Sequence, residues 1–168
     1  MDPLHGRVSV TDRYVKFFNL LLAELRKKHS DVGLAFYCYS QHMRAPVREK
    51  PDTQILPILA PIDVCRIHAI DNPLCWERQY IKQIVEDWKV LGVRMMYRGY
   101  LFHLADAGIP FSMIRQVRAE FPYYHRMGMI ACRVECKPAW AYHGPSLYLA
   151  AKIMWDPSLN VDTLLDDY

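Results

Sequence analysis

The side chains best suited to chemistry fall into four short clusters. The first holds Tyr37, Tyr39, Ser40, Gln41 and His42, and the second Asp63, Cys65 and His68. The third holds Tyr97, Arg98, Tyr100 and His103, and the fourth Arg133 and Glu135, followed by Trp140, Tyr142 and His143. Such a mixture suits a sugar, whose C–H faces stack on rings and whose hydroxyls need polar partners. Asp63 and Glu135 are the carboxylates among them, and each can serve a site. Each position also has a structural reading. Asp63 can cap its own loop, and Arg133 can hold a neighbouring carboxylate in a plain ion pair. His68 and His103 fit loop histidines more readily than catalysts.

Cys65, His68 and Cys75 could supply three metal ligands. A structural zinc site takes four at recognisable spacing, and no second pair stands out, so neither metal nor cofactor is expected. A Cys65–Cys75 disulfide is the simpler use of the two cysteines if the protein is exported. Cys132 and Cys136 stand four residues apart on one expected strand, about 13 Å by strand rise, which is too far for a bridge.

These clusters need elements to hold them. Residues 11–29 carry Tyr14, Phe17, Phe18, Leu21, Leu22 and Leu25 at helical spacing, with Ser9 or Thr11 to cap the start. Residues 32–40 form a short apolar strand, 41–54 a loop with Pro46 and Pro51, and 55–62 a second strand despite its prolines. A helix follows over 75–91, with Gly92 at its C′ position. Residues 93–100 give a third strand. The helix opened by Pro110 and Ser112 is interrupted or ended by Pro122. Residues 129–136 give the fourth strand, Pro145 begins the next helix after a loop over 137–144, and Asn160 caps the last. Phe17, Phe18, Trp88 and Trp155 are expected in the core.

Alternation of strands and helices, with strands apolar on both faces, argues for an α/β fold with a parallel sheet and outer helices. In that architecture function gathers at the C-terminal ends of the strands, where the four clusters fall. Four strands are half of an eight-stranded barrel, which usually takes about 250 residues. The expectation is a single partial barrel over residues 1–168, and the short final helix favours it over a small open sheet. Alternation along the last strand puts Arg133 and Glu135 on one face, pointing into the barrel.

Net charge is +3, from 21 basic and 18 acidic residues, and the basic ones are scattered apart from the short run Arg26-Lys27-Lys28-His29 at an expected helix end. That pattern excludes the basic stripe of a nucleic-acid binder. No apolar run approaches the roughly 18 residues of a membrane span. The Met1–Gly6 opening lacks the apolar core of a signal peptide, and cysteine usage leaves the compartment open.

Several segments in order resemble the bacterial family called domain of unknown function 4838. They are Ser9-Val-Thr-Asp-Arg-Tyr14 with Phe17 and Asn19, then Pro61-Ile-Asp-Val-Cys-Arg-Ile-His68 with Cys75 and Trp88. They continue with Gly128-Met-Ile-Ala-Cys-Arg-Val-Glu135, Tyr148-Leu-Ala-Ala-Lys-Ile-Met-Trp-Asp-Pro157, Asp162 and Leu164-Leu-Asp-Asp-Tyr168. That family is similar to glycoside hydrolases of the hexosaminidase and α-glucuronidase type. The resemblance implies that the strands here are the fifth to eighth of a (β/α)8 barrel, and it accommodates the helix-free 41–54 connection. It places the catalytic acid on a strand outside this chain. What remains is the recognition side: Tyr37, Tyr39, Asp63, His68, Tyr97, Tyr100, Glu135 and Trp140, with Glu135 holding sugar hydroxyls. Family members are commonly exported, which suits a Cys65–Cys75 bridge.

Three readings follow. The chain is a sugar-recognising half of a glycosidase-like barrel, inactive alone; or a self-sufficient glycosidase using Asp63 and Glu135; or a non-catalytic carbohydrate-binding or scaffold protein. A half barrel exposes two strand edges, which invite pairing with another copy or with the missing half.

Overall fold

In the computed structural model, Gly6 and residues 8–105, 108–137 and 139–168 are described, so most of the N-terminal segment read for an export signal lies outside them. The elements in chain order are α1 (Thr11–Arg26), β1 (Leu34–Cys38), a 3-10 turn (Ser40–His42), β2 (Ile55–Leu59) and α2 (Trp76–Val90). β3 (Met95–Tyr100), α3 (Ile114–Arg126), β4 (Met129–Glu135), α4 (Trp140–Trp155) and α5 (Val161–Asp167) complete them. The strands form one sheet in the order β1-β2-β3-β4, with every pairing parallel. This is the expected α/β architecture, consistent with half of a barrel-like fold.

Alternation along each strand divides the sheet into two unlike faces. Phe36, Cys38, Ile55, Leu59, Met95 and Tyr97 are buried against the helices. Phe36 meets Phe18 of α1 and Trp88 of α2, and Tyr97 meets Phe121 and Tyr124 of α3. On the other face Leu56, Ile58, Met96 and Arg98 are half-buried, while Ala35, Tyr37, Ala131 and Arg133 are exposed. That second face is open among the described residues.

Pro57 lies within β2, opposite Phe36. It has no N–H to give, and the ladder to β3 begins just past it, at Ile58 and Leu59. The helix-free connection between β1 and β2 is fastened to α1. The Asp12 carboxylate accepts the backbone N–H groups of Val47, Arg48 and Glu49. Burial opposes its ionisation, but those three donors outweigh it and hold its pKa below the usual value. Arg26 clamps Asp52 through two 2.7 Å bonds, and Asn19 bridges Lys50 O and Asp52 N.

Five expectations need correction. α3 runs through Pro122 to Arg126, because burial of Phe121, Tyr123 and Tyr124 beneath the sheet outweighs the hydrogen bond lost at proline. α4 starts at Trp140, five residues before Pro145, so Tyr142 and His143 are helical and not in a loop. Val10, not Ser9 or Thr11, occupies the cap position of α1, although Ser9 Oγ accepts the Thr11 N–H at 3.4 Å. Phe17 and Trp155 are 60% and 92% exposed, since the buried stripe of α1 is Thr11, Val15 and Leu22 and Trp155 ends its helix facing solvent. Cys65 and Cys75 are free thiols. By contrast Gly92 and Gly128 take the left-handed conformation that ends α2 and α3, at φ 70° and 88°. The Asn160 side chain accepts the Asp162 and Thr163 amides, as a cap should. Trp88 is fully buried, with its indole N–H on Met43 O at 2.9 Å.

Candidate functional site

Parallel strands bring the ends of β1 to β4 to one edge of the sheet. The register pairs Arg98 with Arg133 and Tyr100 with Glu135, so these four side chains share the open face. Arg98 is the hub. Its guanidinium forms a short ion pair with Glu135 and gives a 3.0 Å hydrogen bond to the Tyr37 hydroxyl. It lies 5.3 Å from the Tyr37 ring centroid and 5.8 Å from that of Tyr100, within cation–π range. Glu135 is the main reason the Arg98 pKa is raised. Tyr37, Tyr39, His42, Ala60, Arg98 and Tyr100 line a shallow cleft. His42 stacks flat on Tyr14 at 4.0 Å, and its burial lowers its pKa.

A second cleft lies beside the first, lined by Ile62, Asp63, Val64, Cys65, Arg66, Glu77, His103, Leu104 and Ala105. Arg66 stands between the two. It donates to Ile62 O at 2.7 Å and to Tyr100 O at 3.3 Å, and its guanidinium lies 5.2 Å from the Tyr100 ring. His68 turns towards Cys65, with Nδ1 3.3 Å from Sγ.

The structure thus brings together Tyr37, Tyr39, Tyr100 and Glu135 of the expected residues. Asp63, which is exposed, and His68 belong to the neighbouring loop. Tyr97 does not join them. It is 5% exposed and packed on α3, because residues three apart on a strand point to opposite faces. Burial drives its phenol pKa up. Gly99 leaves room for that ring, since a Cβ there would lie 2.7 Å from it. Trp140, at the start of α4, is 64% exposed and lines neither cleft. Sequence reasoning did not assign roles to Arg98, His42, Arg66 or Glu77. Arg98 was findable, since alternation puts it on the Tyr100 face and parallel pairing then faces it with Arg133 and Glu135.

Fold and edge together define an α/β protein with an all-parallel sheet and a polar, aromatic cleft at the strands' C-terminal ends. The chain belongs to the family described as domain of unknown function 4838, whose model matches residues 2–168. No curated protein and no solved structure matches it.

Proposed function

We propose that this chain is the sugar-recognising part of a glycoside-hydrolase-like barrel, with the Arg98–Glu135 edge as its carbohydrate contact. The observation that carries the reading is the ion pair set between two tyrosine rings at the strand ends. An ionised carboxylate only accepts hydrogen bonds and a guanidinium only donates them, so the pair can grip adjacent sugar hydroxyls from both sides. Tyr37 and Tyr39 are 41% and 37% exposed, which leaves ring surface for the sugar's C–H face. Asp63 lines the second cleft, whereas Glu135 is held by Arg98 of the first, an arrangement that suits recognition by this chain and chemistry by a group elsewhere.

The test is a glycan array together with a panel of chromogenic glycosides, on wild type, Glu135→Gln and Tyr97→Phe. The expected result is binding without hydrolysis, lost in Glu135→Gln and kept in Tyr97→Phe. Hydrolysis abolished by either Asp63→Asn or Glu135→Gln would replace this reading with a self-sufficient glycosidase. Absence of any binding by folded wild type would remove the carbohydrate reading.

A further inference from the structure

The connection from Ala60 to Cys75 contains neither helix nor strand. An irregular segment of that length in a compact fold needs fastenings of its own. Gln116 supplies one by donating to Ile67 O at 3.1 Å, and Gln79 another by donating to Ile70 O and Asn72 O. At the same loop the ligand-type atoms of Cys65, His68 and Cys75 all lie within 4.8 Å of one another, and both thiols are free. Glu77, in the first turn of α2, takes the Cys65 backbone N–H on its Oε2.

We propose that Cys65, His68 and Cys75 bind one zinc ion, with the Glu77 carboxylate as the fourth donor. Zinc–sulfur and zinc–nitrogen bonds of about 2.3 and 2.0 Å give a tetrahedron whose edges are about 3.4–3.8 Å. The Cys65–His68 separation of 3.3 Å already matches, and the two separations to Cys75 need to close by about 1.3 Å at most. Two thiolates, an imidazole and a carboxylate form a borderline-soft set that selects zinc over magnesium or calcium. Each thiol gives up its proton on binding. A Cys65–Cys75 disulfide would need an external oxidant and would use only two of the four groups. The bound ion would tie the loop carrying Asp63 and Arg66 to the start of α2 and so fix the wall between the two clefts. This assignment is independent of the carbohydrate reading.

The test uses the whole chain, reduced, stripped with chelator and titrated anaerobically with cobalt(II). One equivalent should produce a thiolate-to-cobalt charge-transfer band and the visible bands of a tetrahedral ion, both bleached by one equivalent of zinc(II). Cys65→Ser and Cys75→Ser should each weaken binding about 100-fold or more, and Glu77→Gln about 10–100-fold. Cys136→Ser should leave it unchanged. If a cysteine variant fails to fold by circular dichroism, His68→Gln reads the same loss with the thiols kept. No charge-transfer band, or a band that survives Cys65→Ser, overturns the site. So does a Cys65–Cys75 disulfide whose reduction yields no metal binding.

Discussion

Glu120 of α3 and Arg78 of α2 form an ion pair at 2.9 Å with side chains only 3% and 2% exposed. Burial raises the Glu120 carboxyl from an ordinary 4.5 to about 7, against the pull of Arg78 and Arg66. The fold therefore binds more protons here than the unfolded chain between those two values. By linkage this contribution is full below about 4.5 and is lost as pH rises through about 7. At about 1.4 kcal/mol per pH unit, the interval allows up to about 3 kcal/mol. Glu120→Gln keeps the shape and an acceptor for Arg78 and removes the charge. Its effect should be small at pH 5, where the native carboxyl is already neutral. At pH 8 it should stabilise, by up to about 3 kcal/mol, although it severs a buried salt bridge. Urea unfolding of both proteins at pH 5, 6, 7 and 8 reads this. The difference curve cancels other titrating groups, including His42. The reasoning is refuted if Glu120→Gln instead costs the roughly 3–5 kcal/mol of a broken buried pair at pH 8.

Two further outcomes follow from the fold. Asp12→Ala removes the acceptor of three backbone N–H groups in the β1–β2 connection, two of them on exposed residues that water can serve; it should cost about 1–2 kcal/mol and expose residues 46–50 to limited proteolysis, with the rate of cleavage as the measure. Edges at β1 and β4 and the open sheet face should make the isolated chain self-associate, so light scattering should give a mass that rises with concentration, and a concentration-independent monomer would contradict it.

The order of elements was legible because each has a local signal. Gly92 and Gly128 end helices by conformation, Asn160 begins one by its side chain, and apolar runs mark the strands. The prolines misled because their cost is local while its compensation is not. Pro122 survives inside α3 because Phe121, Tyr123 and Tyr124, which flank it, are buried, and their burial follows from packing that the local sequence does not spell out. Three of the four residues that meet at Arg98, counting Arg98 itself, were legible. Tyr37, Tyr100 and Glu135 stood out by type and by their place at strand ends, whereas Arg98 needed the β3–β4 register. The bond from the Cys65 backbone N–H to Glu77 was invisible because the two are twelve residues apart and meet only there. Tyr97 shows the reverse error, a residue of the right type on the wrong face.

The uncovered sheet face weighs most in choosing among the readings. All-parallel sheets occur almost always with both faces covered, because crossover helices and a second layer bury them. Here one face is packed on helices, and the other presents Leu56, Ile58 and Met96 half-buried beside exposed Ala35, Tyr37 and Ala131. A doubly wound open sheet would place helices on that side as well. A barrel instead fills it with side chains from strands across the interior, and the residues here are of the size such layers use. Arg98 and Glu135 sit at the C-terminal end of this same face, so on the barrel reading whatever covers the face would also complete the cleft. That coupling makes the carbohydrate test and the self-association test informative about each other. If association closes the interior, it should strengthen sugar binding at the Arg98–Glu135 edge, and if it merely pairs the strand edges, the affinity should not change with protein concentration.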